Sequence, residues 1–309
     1  MKHACLVIFL VISLLTCRAD SYKLEGESFV PPANSEIVWG VNVTNLPNEL
    51  WVYQVRSGNM FSAPAFSNIL SASQLKLINS VPVDPYFKAM DSNFMTLQIM
   101  NERGTILHSL NVAPNMGWVK YSDNFSDPNA LLIASPSEKE TIELGKHCMF
   151  LFGIDRSLYN PIPRFMSVST TTYKTQTNVI TARGVAFSRK IDGIIEHGSC
   201  LYIEFGGKNK ILKFELNWRN LVPYKSYPIA DTNDILQFIK SGNATWGIAP
   251  KQGDPSHVQK FTITRFEPIY FSKPPMDKIG FEYPYAELTL QGQVGTNTMQ
   301  FYLHCPLMK

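Results

Sequence analysis

Apolar residues are arranged in three different ways along this chain. The first is an unbroken run from Ala4 to Leu15, preceded by Lys2 and followed by Cys17-Arg18-Ala19. A basic start, a short apolar core and a small-residue exit make a secretory leader. A bilayer helix needs about twenty apolar residues, and no later run approaches that length. Cleavage after Ala19 is expected, because Asp20, Lys23, Glu25 and Glu27 follow at once. Leu14-Leu15-Thr16-Cys17 also looks like a lipoprotein box. That would leave lipid on Cys17, although Thr16 stands where Gly, Ala or Ser is usual.

The second arrangement is alternation, the mark of strands with one packed face. It predicts strands over Ile37–Val43, Leu50–Val55, Phe94–Met100, Ile106–Val112 and Trp118–Tyr121. Asn101-Glu-Arg-Gly104 joins two of these as a hairpin. Further on, Phe165–Thr172, Val185–Ile195, Cys200–Phe205 and Ile211–Leu216 read as strands, the last pair joined at Gly206-Gly207. Near the end, Phe261–Phe266, Tyr285–Leu290 and Met299–Leu303 complete the set.

The third arrangement is helical spacing. Ser62 to Ile78 predicts a short helix followed by a strand, with Phe66, Ile69 and Leu70 on one side. Ser137 with Glu140 three residues on is a capping box, and Ile142, Leu144, Cys148, Met149, Leu151 and Phe152 follow as an apolar side. Gly153 closes that helix. Asp231 caps a second amphipathic helix carrying Ile235, Leu236, Phe238 and Ile239, with Gly242 as its exit.

Helix followed by strands therefore occurs twice, from about residue 137 and from about 231. The expected fold is α+β, with tandem modules of antiparallel sheet each covered by a short helix. The expected divisions are a signal peptide at 1–19, a mainly-β or α+β region at 20–130, one α+β module at 131–225 with its helix at 137–152, and a second at 226–309 with its helix at 232–241. Polar, turn-rich stretches at Ser126–Asn129, Ser135–Ser137 and Pro223–Pro228 mark the boundaries.

The stretch from Pro228 through Asp231 and Phe238 to Gly242 resembles the helix entrance of PepSY-like modules. It also resembles the extracytoplasmic regulatory proteins of the YycH/YycI type. Phe261–Tyr270 and Tyr285–Leu290 would take the strand places. The resemblance spans residues 137–305 at most and contains no specific motif. It implies a noncatalytic binding or regulatory role outside the cytoplasm. The chain departs from the YycH/YycI pattern in that its apolar N-terminus reads as a removable leader and not as a membrane helix.

Composition adds that a sizeable core is affordable: 45% of residues are apolar and 17% charged, which argues against disorder. The net charge of +3 is scattered, without the basic block or aromatic–basic interleaving of a nucleic-acid binder. Removal of the leader leaves Cys148, Cys200 and Cys305. Three cysteines allow one disulfide with a spare thiol, three free thiols, or a bridge between chains. The sequons at Asn42, Asn124 and Asn243 would mark exposed, glycosylated loops in a eukaryotic secretory pathway.

Each remaining cysteine lies near a histidine: His147-Cys148, His197 with Cys200, and His304-Cys305. Adjacent residues point apart on a strand or helix, so two of these pairs are poor chelators and their cysteines read as core. Cys200 with His197 and Asp192 or Glu196 is the nearest set to a thiol nucleophile. Asp192, Glu196, Glu204 and Glu215 are the acids from which a hydrolytic pair could be drawn, although Glu204 and Glu215 fit a solvated cross-strand arrangement. No nucleophile elbow, HExxH helix, P-loop or dinucleotide turn occurs.

The expected function is therefore an exported, noncatalytic binding or regulatory protein with a protein partner, no cofactor and no bound metal. Contact with a membrane is expected only if Cys17 carries lipid. Trp218, Arg219, Tyr224 and Tyr227 are the expected interaction surface. The alternatives are a secreted hydrolase with an acid pair and a structural envelope component.

Overall fold

An Asp-Gly pair between apolar residues divides what the alternation alone reads as one strand. Asp192 (φ 51°) and Gly193 (φ 80°) both take left-handed backbone. That is the geometry a two-residue hairpin requires, and it suits Asp-Gly. The expected strand Val185–Ile195 is thus the end of one strand and the start of the next, paired back on each other through Ile191 and Ile194.

The computed structural model describes residues 26–43, 46–58, 60–124, 133–160, 162–172, 178–247, 254–272 and 280–309. The leader at 1–19, with Cys17, lies outside the described residues. In chain order the strands begin with β1 (Glu36–Trp39), β2 (Glu49–Arg56), β3 (Ser80–Val81), β4 (Met95–Met100), β5 (Ile106–Ala113) and β6 (Trp118–Asp123). Then come β7 (Arg164–Thr172), β8 (Asn178–Ile191), β9 (Ile194–Gly206), β10 (Ile211–Asn217) and β11 (Asn220–Pro228). The last are β12 (Thr245–Trp246), β13 (Lys260–Phe271), β14 (Phe281–Glu282), β15 (Pro284–Val294) and β16 (Asn297–Pro306). The helices are α1 (Ala63–Ser73), α2 (Pro85–Met90), α3 (Glu138–Leu151) and α4 (Thr232–Lys240). Among the described residues no helix is long and apolar enough to cross a membrane.

The expected caps form. Glu140 N–H donates to the Ser137 hydroxyl at 3.3 Å, and Ser137 N–H donates to the Glu140 carboxylate at 2.8 Å. At α4, Asp231 accepts from Asn233 and Asp234 at 2.9 and 3.0 Å, and the Asp234 carboxylate accepts from Asp231 N–H at 2.9 Å. Caps of this kind contribute about 1 kcal/mol each. The strand expected after α1 is instead a short 3-10 turn at Leu77–Asn79 leading into β3, which pairs with β4.

Antiparallel pairing runs β3-β4-β5-β6-β10-β9-β8-β7. One face of this sheet carries Leu110, Val119, Phe187, Leu201, Ile203, Phe214 and Leu216, covered by Ala65 and Ile69 of α1 and by Cys148 and Met149 of α3. A second run pairs β13-β15-β16-β12, with β1 parallel to the start of β13. Its packed face holds Phe261, Ile263, Leu288, Leu290, Phe301, Leu303 and Cys305 beneath Ile235 and Ile239 of α4. Burying each such side chain contributes about 1.5–3 kcal/mol. The two runs meet where β9 pairs in parallel with the end of β13, Ile195 to His197 opposite Ile269 to Phe271. A three-stranded sheet, β11-β2-β14, completes the fold. The architecture is α+β as expected, with large mixed sheets and short helices. The sheets are joined by hydrogen bonds at β9 and β13.

Gly117 (φ 65°) ties the start of β6 to the end of β10: its carbonyl accepts from Trp218 N–H at 2.7 Å. A Cβ there would lie 1.9 Å from the Trp218 carbonyl oxygen. Gly117→Ala should therefore lower stability by at least about 2 kcal/mol, read as a fall in the urea midpoint at unchanged slope.

Candidate functional site

A strand has two edges, and β9 must serve three neighbours. β8 takes one edge. The other passes from β13 at Ile195–His197 to β10 at Cys200–Phe205. Between them the backbone of Gly198 and Ser199 leaves the ladder, and its polar groups need partners. Asn217 donates its side-chain N–H to the Gly198 carbonyl at 2.8 Å, and Ser272 N–H donates to the His197 carbonyl at 2.7 Å.

Charged side chains collect at this seam. Glu196 of β9 and Glu282 of β14 are 0% and 1% exposed, and Arg189 of β8 is 8% exposed. Arg189 Nε stands 3.4 Å from Glu196 Oε2, and its Nη1 donates to the Arg219 carbonyl at 2.6 Å. Its guanidinium lies 5.1 Å from the centre of the Trp218 ring. Ser199 donates its hydroxyl to Glu196 Oε1, and Ser272 donates to Glu282 Oε1 at 3.0 Å. The second oxygen of each carboxyl has no aligned protein donor. Burial, and then the Glu196 charge, hold Glu282 protonated well above the usual carboxylate range, against the opposing pull of Arg189 and Ser272.

Two tyrosines fasten the small sheet beside this pair. Tyr53 of β2 donates to Asp192 at 2.6 Å, and Tyr270 of β13 donates to the Trp51 carbonyl at 2.8 Å. The rings meet edge to face, with centroids 5.7 Å apart. Burial raises both phenols above the ordinary tyrosine range, and the Asp192 charge adds to it.

The four residues expected as one surface are divided. Trp218 and Arg219 are 4% and 3% exposed. Trp218 packs into the core beneath α1 and α3, because β10 ends against β6 and carries the chain inward at that point. Tyr224, by contrast, is 57% exposed. It sits where the register of β11 shifts between Pro223 and Lys225, and its ring packs on Phe281 at 4.9 Å. Lys225 lies over the half-buried Tyr227, 4.7 Å from its ring centre. The observed strip is therefore Tyr224, Lys225, Tyr227 and Phe281. Its last member was missed, as was Glu282, because a two-residue strand leaves no periodic signal.

The other constellations dissolve. Cys148 and Cys305 are buried while His147 is exposed and His304 turns to Glu287, at 3.6 Å. All three cysteines are free. Among the described residues no group of three or more His, Cys, Asp or Glu is arranged to hold a metal. Burial, then Glu215 and Glu196, push the Cys200 thiol up to about 11, the reverse of an activated nucleophile. Glu204 and Glu215 face Lys213 and Lys120 at 3.7 and 3.4 Å. Asn42, Asn124 and Asn243 are exposed.

No family model matches the chain, and no curated protein matches it. Distantly similar solved structures include these two. An uncharacterised protein from Eubacterium rectale is 12% identical over 87% of this chain and 86% of its own, with a TM-score of 0.43. The YpeB C-terminal domain of Bacillus megaterium is 11% identical over 79% of this chain and 93% of its own, with a TM-score of 0.36.

Two outcomes follow from the seam. Arg189→Met strands a buried carboxylate and should cost about 3–5 kcal/mol in urea unfolding. Cys200, held protonated, should resist iodoacetamide at neutral pH in the native protein and react at the ordinary rate once unfolded; native labelling as fast as unfolded would contradict the raised thiol.

Proposed function

We propose that this chain is an exported, noncatalytic binding protein that recognises a protein partner on the strip formed by Tyr224, Lys225, Tyr227 and Phe281. The observation that carries this reading is the exposure of Tyr224, whose ring packs at a tilt of 56° on Phe281 of the small sheet. Aromatic rings backed by a rigid sheet supply contact area at low entropic cost, and they are enriched at the centres of protein interfaces. Lys225 adds a cation beside them, which favours a partner surface with acidic character.

Recognition goes through the face of the small sheet and not through its β11 edge. Pro223 and Pro228 lack the N–H that an added strand would need, and the register shift interrupts the ladder between them. On this reading the two helix-covered sheets correspond to the tandem modules expected from the sequence. This reading takes the apolar N-terminal run as a secretory leader, which would direct the protein out of the cytoplasm.

The test compares captures from the extracytoplasmic fraction. The wild-type chain and a Trp51→Ala control should recover the same partner, because Trp51 pairs with Ser226 and so points to the face opposite Lys225 and Tyr227. Tyr224→Ala combined with Tyr227→Ala should lose at least about tenfold of it, the scale of one hot-spot residue. Equal recovery by the double variant would sink the assignment.

A further inference from the structure

We propose that His197, Glu287 and His304 form a proton-operated clasp on the face of the second sheet opposite α4: two imidazoles, one from β16 and one from β9, share a single carboxylate of β15, and they hold the three strands together most firmly when both carry charge.

Alternation and register bring the three together. Ala286, Leu288, Leu303 and Cys305 pack beneath α4, so Glu287 and His304 between them point the other way. Glu287 stands directly opposite His304 in the β15–β16 register. On its other side Glu287 is opposite Glu267 of β13, and β13 pairs in turn with β9, Phe271 opposite His197. The carboxylate therefore lies between an imidazole on the adjacent strand and one from two strands away. His304 Nε2 comes within 3.6 Å of Glu287 Oε2, and His197 Nδ1 comes within 3.9 Å of the same oxygen. The rings of Phe271 and Tyr285 lie 6.0 and 6.4 Å from that of His304. Rings beside the charges displace water and reduce the screening between them.

The other charges near this face do not titrate with the clasp. Glu267 is paired with Arg265 on its own strand. Lys190 of β8 is opposite Ile195, two residues before His197. Glu196, next to His197 on β9, turns to Arg189. β12 places Thr245 opposite His304 and brings no charge. Tyr285 and Tyr302 bring phenols, which ordinarily ionise only near about pH 10. Imidazole is the side chain whose charge changes between about pH 5 and 8, so His197 and His304 operate the clasp.

Two titrations bound it. As pH rises through the imidazole range, both cations are lost and the carboxylate keeps only dipolar neighbours. At the acid end the carboxylate governs. His304 is the largest influence holding Glu287 below the ordinary carboxylate range; burial opposes it, and His197 and Arg265 add to it. A lowered carboxyl contributes stability above its unfolded value and loses it as pH falls through its folded value. The clasp is therefore closed in mild acid and looser on either side. It does not depend on the Tyr224 strip or on what that strip binds.

Hydrogen exchange on the full chain tests it, read at the amides of β16 and of Ile195–His197 after correction for intrinsic exchange. Glu287→Gln should open these amides more readily than the wild type. That excess should be at least about threefold larger at about pH 5.5 than at about pH 8, the scale of two partly exposed ion pairs. It should narrow again in stronger acid, as Glu287 of the wild type takes up a proton. Glu267→Gln removes a neighbouring carboxylate that belongs to Arg265, and it should show no such widening. His197→Gln combined with His304→Gln should reproduce the excess in mild acid, and it covers the case in which Glu287→Gln does not fold. An excess equal at both pH values would overturn the clasp, as would the same widening in Glu267→Gln.

Discussion

The structure depends on the short stretch where β9 exchanges one neighbour for another. Over Ile195–His197 its edge is held by β13, and from Cys200 it is held by β10. That exchange makes one hydrogen-bonded system of two sheets whose helices cover separate cores. It also opens the ladder at Gly198 and Ser199, the first exposed and the second buried. Backbone groups released there take partners from outside the strand, the side chain of Asn217 and the backbone of Ser272.

The charges at this point are better understood as a means of specifying an arrangement than as a source of stability. Desolvating Arg189 and two carboxyls costs free energy that their mutual attraction roughly offsets, and an apolar replacement of equal volume would hold the sheets together as firmly. What an apolar seam would lack is direction. A guanidinium bonded to the Arg219 carbonyl, and serines bonded to each carboxyl, fit only one placement of the small sheet. The edge-to-face rings of Tyr53 and Tyr270 reinforce that placement without charge.

Much of the local structure was legible because its causes are local. Ser137 with Glu140, and Asp231 at the head of an apolar-faced segment, announce α3 and α4 through bonds that span three residues. The hairpins β4–β5 and β9–β10 follow from alternation on either side of a turn. The strand misread across Asp192-Gly193 was also local in cause: its β-branched flanks masked a turn pair that was itself readable. The seam was not legible in the same way. Glu196 lies between Ile195 and His197, and nothing nearby says that it will face Glu282 from a different sheet. Trp218 and Arg219 follow a clear strand and resemble a surface pair, yet the direction in which β10 ends is decided by its pairing with β6. Partner choice between distant strands is a property of the assembled core, and periodicity carries no record of it.

One pairing near the start of the chain governs how the molecule can be made. β1 lies in parallel register with β13, Glu36 opposite Lys260, so the edge of the second core is supplied by the opposite end of the polypeptide. A contact between residues so far apart closes a very large loop, and its entropy must be met before the pairing repays it. The layer beneath α1 and α3 draws on one continuous stretch of chain and can form first. The layer beneath α4 gains its border only when the segments at Glu36 and Lys260 have met.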